Sequence, residues 1–222
     1  MTQDAGTTEK LGEGWRIELV ETGASPDRRP RWMAAASGVR VLFNGIPAPS
    51  VFVSNSQISA VVPYFGAAGA TTNVQVEYLG VRSDPCRVTV SPTAPGLFTS
   101  NASGSGQGSV LNQDNTVNSA ANPAARGSVV ILWATGEGVT DPPGVDGRPA
   151  ANVLPTPVAP VSATIGGYPA KVLYAGGAPG YMPGVLQINA QMSPDVQAGN
   201  AVPVRITIGG ASSQDAVTLA VR

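Results

Sequence analysis

The stretch Gln57-Ile58-Ser59-Ala60 recurs as Gln187-Ile188-Asn189-Ala190, 130 residues further along the chain. A proline follows each copy, Pro63 after the first and Pro194 after the second. In both copies an isoleucine lies between two polar side chains, which is the alternation of a β-strand with one buried face. The repeated stretch therefore predicts two strands at equivalent positions in two copies of one unit.

Other segments match in the same order along the chain: Gly45–Ala48 with Gly167–Ala170, and Val76–Gly80 with Ile206–Gly210. Matches in a constant order are the mark of an internal duplication. Each copy holds several short strands in roughly 80–100 residues, which is the size of an immunoglobulin-like sandwich. We therefore predict a duplicated β unit.

Predicted strands occur throughout the chain, whereas every window with helical periodicity is interrupted by Gly or Pro. The strands expected from β-branched stretches between turn residues are Trp15–Val20, Val39–Phe43, Val51–Val53, Gln57–Val62, Val74–Leu79, Arg87–Val90, Val129–Trp133, Val161–Ile165, Lys171–Tyr174, Val185–Ala190, Val202–Ile208 and Ala216–Val221. An apolar strand face needs a second sheet to cover it. The predicted fold class is therefore all-β, with two tandem immunoglobulin-like β-sandwiches.

Composition shifts suggest the domain boundaries. Residues 1–12 are polar and predict a disordered N-terminal segment, residues 13–92 the first sandwich, and residues 93–222 the second. Pro92–Pro95 reads as a short, stiff hinge between them. Within the second unit, Asp114-Asn115 predicts the turn of a small hairpin extension at about residues 105–120.

Residue counts exclude several classes of function. The 222 residues contain no His and one Cys, Cys86, so catalysis by a His-based pair, an intrachain disulfide and a thiolate zinc site are all excluded. A net charge of −1 gives no basic patch for nucleic acid. The longest strongly apolar run, Val129–Ala134, is too short to insert into a membrane. We predict a protein that is not an enzyme and that uses no cofactor.

The second half resembles the uncharacterised C-terminal domain found on many large secreted proteins of Solibacter-type soil bacteria. The matching stretches are Ala94–Thr99, Leu111–Asp114, Asn122–Val130, Ala134–Gly138, Ile165–Ala170, Ala178–Gly180, Gln187–Asn189 and Val217–Val221. Residues 39–92 are similar to the unit that commonly precedes that domain, and both units resemble the immunoglobulin-like modules called IPT or TIG. The resemblance implies a tandem sandwich in an exported or cell-surface protein.

Aromatic side chains are the candidate contact residues. Trp32, Tyr168 and Tyr181 lie near Pro and Gly in predicted loops, and with Met182 they are the candidates for an exposed contact patch, although singly scattered aromatic residues are the simpler interpretation. Four other aromatic residues fall in predicted strands and are expected to pack in the cores: Trp15, Trp133, Phe43 and Phe52.

Two functions remain open at this point. One is a non-catalytic interaction or architectural module that contacts a protein partner through loops or sheet edges. The other is a carbohydrate-binding module that contacts polysaccharide. The loop that carries Glu137, Asp141 and Asp146 suggests a calcium site as a further alternative, although a solvated loop is the simpler interpretation. Neither the partner nor the oligomeric state follows from the residues.

Overall fold

The computed structural model of the chain describes residues 8–11, 15–18, 38–54, 57–64, 71–149 and 153–222, with the backbone alone at 8–11, 15–18 and Val51. Within these ranges the chain forms strands, turns and loops and no helix, so the all-β fold class is confirmed. Every strand expected from the sequence overlaps an observed one. Thr8–Leu11 was expected in the disordered segment, but it forms a strand because its backbone pairs with Trp15–Glu18.

The strands are short and numerous. Those of the N-terminal half are β1 Thr8–Leu11, β2 Trp15–Glu18, β3 Val39–Phe43, β4 Ile46–Pro47, β5 Ser50–Val53, β6 Gln57–Ala60, β7 Thr71–Tyr78, β8 Val81–Arg82 and β9 Cys86–Thr89. Those of the C-terminal half are β10 Gly96–Leu97, β11 Gly106–Gln107, β12 Val110–Leu111, β13 Val129–Thr135, β14 Thr140–Asp141, β15 Thr156–Pro157, β16 Val161–Ile165, β17 Tyr168–Gly177, β18 Leu186–Gln191, β19 Gly199–Ile208, β20 Ala211–Ser212 and β21 Val217–Val221.

Two sheets share one hydrophobic core in the N-terminal half. One sheet has the strand order β1-β2-β6-β5, and the other has the order β4-β3-β7-β8 with β9 also paired to β7. Val41 on β3, Val76 on β7 and Ile58 on β6 belong to one cluster of buried residues. Because this cluster draws side chains from both sheets, the sheets lie face to face over a common core.

The C-terminal half is one continuous hydrogen-bonded path of strands, β10-β13-β18-β17-β16-β19-β21-β11. Tyr168–Ala170 of β17 pairs with β16, and from Lys171 onward β17 pairs with β18. The long strand β17 therefore passes from one layer to the other. Ile188 on β18 and Ile206 on β19 are fully buried in a second cluster, which shares no residue with the first.

The strand register is the same in the two halves over the matched segments. Val41 pairs with Val76, and Ala163 pairs with Ile206 at the corresponding positions. A β-bulge between β5 and β6 has an identically placed counterpart between β17 and β18, as the register shifts show at Ser50/Phe52 and Val172/Tyr174. A bulge changes local twist and side-chain direction, so two bulges at equivalent positions give the two halves the same local shape.

Two expectations about packing are wrong. Trp133 was expected in the core, but it lies between the fully buried Leu132 and Ala134 on a strand of strict alternation, so it faces outward and is half-buried. Phe52 was also expected in the core and is 49% exposed, because the bulge between Ser50 and Phe52 turns it to the other face. Phe43 is buried as expected.

The opening strands of the two halves also differ. β2, which contains Trp15, runs parallel to β6, whereas β13, which contains Trp133, runs antiparallel to β18. The two strands that contain these tryptophans are therefore not equivalent in the two halves. Because β2 and β13 run in opposite directions relative to their neighbours β6 and β18, the residues that follow them leave the sheet at opposite ends. In the described part of the chain no helix has the length and apolar character needed to cross a membrane.

Candidate functional site

The contact between the two halves begins at the end of β13. After Thr135 the chain continues as Gly136-Glu137-Gly138, and both glycines have positive φ, 77° and 74°. A Cβ at Gly136 would overlap the carbonyl of Ala94, and a Cβ at Gly138 would overlap the carbonyl of Pro92. Only glycine lets the connecting segment, which contains Pro92 and Ala94, pass this close to the turn. Any larger residue at Gly136 or Gly138 would push the connecting segment away.

The connecting segment is anchored to the C-terminal half. The N–H of Ala94 donates to the carbonyl of Gly136 at 3.0 Å. The hydroxyl of Thr93, itself buried, donates to the carbonyl of Ile208 at 2.7 Å. Three residues after Ala94, the side-chain amide of Gln214 bonds both backbone groups of Leu97, at 3.0 and 2.7 Å. Thr93 and Ala94, in the middle of the segment expected to be a hinge, are therefore each hydrogen-bonded to the C-terminal half.

Glu137 lies between the two halves and is 3% exposed. Its Oε1 accepts a hydrogen bond of 2.8 Å from the hydroxyl of Tyr64, which follows β6 in the N-terminal half. Its Oε2 is buried and has no hydrogen-bond partner. The expectation of a solvated loop is wrong at this position, because Tyr64 and the connecting segment cover the carboxyl group.

Tyr64 is held from both ends. Its backbone N–H donates to Oδ1 of Asp146 at 3.0 Å, while its hydroxyl bonds Glu137. A Cβ at Gly144 would overlap the Tyr64 ring, so the loop after β14 passes directly over the ring. The N–H of Gly144 in turn donates to the hydroxyl of the buried Thr140 at 3.0 Å. We call Tyr64, Glu137, Asp146 and the two glycines that flank Glu137 the junction.

Burial determines the electrostatics of the junction. It raises the pKa of Glu137, and the hydrogen bond from Tyr64 opposes that shift without cancelling it. Burial also raises the pKa of Tyr64, and the nearby charge of Glu137 raises it further. The neutral forms of both groups are therefore favoured. A carboxyl group this deeply covered cannot reach a substrate, so the geometry suits a structural contact rather than acid–base catalysis.

The three acidic residues considered for calcium do not share a site. Glu137 is buried against Tyr64, Asp146 accepts the Tyr64 N–H, and Asp141 is exposed on β14. Among the described residues there is no group of three or more acidic, His or Cys side chains that could hold a metal ion. Glu137 and Asp146 instead accept hydrogen bonds from Tyr64 in the other half of the chain.

A second polar and aromatic surface lies on the outer face of β13, β18 and β17. Trp133 contacts Tyr181 with ring centroids 5.1 Å apart and ring planes at 43°. Gln187 pairs with Trp133 across the ladder, and its Nε2 donates to Oδ1 of Asn189 at 2.9 Å. We call Trp133, Tyr174, Tyr181, Gln187 and Asn189 the outer face. Of these five residues, the sequence analysis named Tyr181 alone as a candidate contact residue.

Three of the four candidate contact residues lie in the described part of the chain, and they are not all exposed loop residues. Tyr168 and Tyr181 are 39% and 41% exposed, and Tyr168 is the first residue of β17 rather than part of a loop. Met182 is 3% exposed, so it cannot serve as a surface contact. Trp32 lies outside the described residues.

The sequence analysis did not identify Tyr64 as a junction residue, and it did not predict that Glu137 would be buried. One signal was present: a lone acidic residue between two glycines, directly after a strongly apolar strand. Glycine on both sides is typical of a close backbone approach. Nothing in the sequence indicated that Tyr64, far away along the chain, would supply the donor.

Compared with known proteins, the chain matches no family model, no curated protein and no solved structure. The likeness to the Solibacter-type C-terminal domain therefore rests on the sequence motifs quoted above.

Proposed function

We propose that this chain is a non-catalytic architectural and interaction module: two tandem immunoglobulin-like sandwiches of the IPT/TIG type, held in a fixed relative arrangement. In this proposal the chain belongs to an exported or cell-surface bacterial protein and acts by presenting its loops and sheet edges to a protein partner. The domains are those expected from the sequence, residues 13–92 and 93–222. The export and the family rest on the resemblance in sequence.

The observation that carries the proposal is the junction. A flexible tether between independent domains does not need a buried carboxyl group hydrogen-bonded across the contact. Here Glu137 and Tyr64 are joined at 2.8 Å, and Asp146 accepts from the same tyrosine. The cost of burying a carboxyl group is tolerated where its partners are fixed. Such a contact limits relative motion, which is the requirement for an architectural element.

The two separate cores support the tandem arrangement. Each cluster of buried residues draws on strands of one half only. The common register and the two equivalent bulges favour a duplicated unit over a single large barrel.

In this proposal a partner binds at the turn between β7 and β8. Tyr78, Leu79 and Val81 all expose half or more of their surface there. Neighbouring exposed apolar residues mark an interaction site more often than single ones do. The equivalent turn of the other half is Gly209-Gly210, followed by Ala211, and it presents no such group.

Small-angle X-ray scattering of the full chain tests the fixed arrangement. The wild type should give a scattering profile that one rigid arrangement explains. Glu137→Ala should broaden the distribution of interatomic distances, because the variant removes the hydrogen bond to the Tyr64 hydroxyl and leaves a cavity between the halves. Tyr168→Ala, at an exposed position of the C-terminal half, is the matched control. A wild type as extended and heterogeneous as Glu137→Ala would contradict the proposal.

The second candidate function is a carbohydrate-binding module of an exported polysaccharide-acting protein. The observation that favours it is Trp133, which lies half-buried on the outer face and against Tyr181 instead of in the core. An aromatic ring on an outward sheet face offers a flat apolar surface to a ligand. Retention of the wild type, but not of Trp133→Ala, on insoluble polysaccharide tests this candidate.

A further inference from the structure

The register of three strands brings a row of residues together on the outer face. Trp133 on β13, Gln187 on β18 and Gly176 on β17 are cross-strand neighbours. The adjacent row of that face consists of Ile131, Asn189 and Tyr174. Neighbouring strands lie about 4.8 Å apart, so the row from β13 to β17 is roughly 10 Å wide.

Aromatic rings lie on both sides of Gln187. Trp133 lies on one side and is itself flanked by Tyr181. On the other side the Tyr174 ring lies over Gly176, where a Cβ would come 2.7 Å from the tyrosine hydroxyl. That hydroxyl donates to the carbonyl of Gly177 at 2.9 Å, which fixes the ring in this position. Across the row, the Gln187 amide therefore lies between the Trp133 ring and the Tyr174 ring.

The amide groups between the rings keep unused hydrogen-bonding capacity. Nε2 of Gln187 donates to Oδ1 of Asn189, and this orients both side chains. In the hydrogen bonds of the described residues, Oε1 of Gln187 and Nδ2 of Asn189 have no protein partner. Both side chains are half-buried rather than covered. One acceptor and one donor are thus held side by side and open to a ligand.

The outer face carries almost no charge. The third row of the same face consists of Val129, Gln191 and Lys171, so among the described residues of the three rows the charged side chain, Lys171, lies at the far end. Glu137, beyond the other end, is buried in the junction. Within these rows of described residues no charged side chain lies beside the rings, so neutral ligands are the complementary class.

From this arrangement we infer that the outer face binds a neutral polysaccharide chain, with sugar rings stacked on Trp133 and Tyr174 and hydroxyl groups bonded to Gln187 and Asn189. A sugar ring has one C–H face that packs on an aromatic ring and a rim of hydroxyl groups that donate and accept. Rings on either side of a paired amide match that chemistry. The inference rests on the second candidate function and specifies its site.

Titration of the full chain, labelled with ¹⁵N, with cellohexaose, xylohexaose and laminarihexaose tests the site. We expect at least one of the three to shift the Trp133 indole and the Gln187 and Asn189 side-chain amide signals. Trp133→Ala should weaken binding by roughly tenfold or more, because a central aromatic contact dominates small interfaces. Polygalacturonic acid, which is charged, should not bind better than the neutral sugars.

Two further variants keep the test decisive. Tyr181→Ala removes an exposed ring and should weaken binding even if Trp133→Ala fails to fold. Tyr168→Ala, a similarly exposed tyrosine on the same strand as Tyr174, should bind as the wild type does. No shift with any of the three sugars overturns the inference, as does binding that survives both Trp133→Ala and Tyr181→Ala.

The alternative occupant of this face is a second copy of the chain. Signals of the outer face that move with protein concentration alone, without sugar, would indicate it and would overturn the glycan site. None of these outcomes changes the scattering test of the junction. The failure of the glycan site and the failure of the architectural proposal can therefore be told apart.

Discussion

The hydroxyl of Tyr64 donates a hydrogen bond of 2.8 Å to Oε1 of Glu137, 73 residues further along the chain. The two residues belong to different halves, and the carboxyl group that joins them is almost completely covered. Its second oxygen has no partner. The contact therefore combines a favourable hydrogen bond with a buried acceptor atom that is left unsatisfied, and this makes it sensitive to substitution and to pH.

Tyr64→Phe should lower the free energy of unfolding by about 1–3 kcal/mol, because it leaves the buried Oε1 of Glu137 without its donor. Urea denaturation measures the change. Tyr78→Phe is the control, since Tyr78 is half-exposed, and it should cost much less. Equal losses in the two variants would show that the junction hydrogen bond contributes nothing specific.

The stability of the junction should fall as the pH rises. Burial raises the pKa of Glu137 above its ordinary value of 4.5, so the folded state holds this proton to a higher pH than the unfolded state does. The contribution is complete below the ordinary value and is lost as the pH rises through the raised one. Urea denaturation of the wild type at about pH 5 and about pH 8 should show the loss, relative to Glu137→Gln.

Glu137→Gln is the reference for that comparison because its amide cannot ionise and its oxygen still accepts from Tyr64. In the difference between the free energies of unfolding of the wild type and of this variant, the contributions of the other acidic groups cancel. If that difference is the same at both pH values, Glu137 is not the group responsible.

Gly136→Ala should be strongly destabilising. A Cβ there overlaps the carbonyl of Ala94, and φ is 77°. Crowding of this kind costs about 1–3 kcal/mol, and the left-handed backbone adds roughly 1–2 kcal/mol. Gly167→Ala is the matched control, since φ is 82° with no atom within 4 Å of the added Cβ. It should show the backbone cost alone, and an equal loss in both would refute the close approach.

Asn118→Ala should cost about 2–3 kcal/mol, since several partners lose a bond at once. Asn118 is 1% exposed, and its side chain bonds both backbone groups of Ala220, at 2.9 and 2.8 Å. It also bonds the side chains of Asn112 and Gln107, which ties the hairpin to β21. Thermal or urea unfolding measures the loss. Asn200→Ala, at an exposed site, should change little; a similar loss there would contradict the role of this network.

Leu79→Asn should stabilise the chain by roughly 0.5–1 kcal/mol. Leu79 has φ 49°, a backbone conformation that Asn tolerates better than Leu, and Asn44-Gly45 forms the corresponding kind of turn elsewhere in the chain. Leu173→Asn replaces an equally apolar exposed residue whose φ is not positive, and it should give no gain. If Leu79→Asn were less stable than the wild type, the contacts of the leucine side chain would contribute more to stability than its strained backbone costs.

The sequence by itself determined the fold class and the strand positions. Alternating β-branched stretches such as Val39–Phe43 have no stable alternative when Gly and Pro interrupt every helical window. The constant order and spacing of the matched segments, such as Gln57-Ile58 and Gln187-Ile188, also predicted equivalent strands in the two halves. These are local properties, and local chemistry is enough to specify them.

Only the tertiary structure decided which side chains face inward and which groups meet. A bulge of one residue moved Phe52 to the surface, and strand alternation placed Trp133 on the outer face. The pairing of Tyr64 with Glu137 depends on how the two halves of the chain pack against each other, which no local pattern encodes. The physical reason is that burial and hydrogen bonding between distant residues are set by the packing of whole layers, whereas strand formation is set by neighbours along the chain.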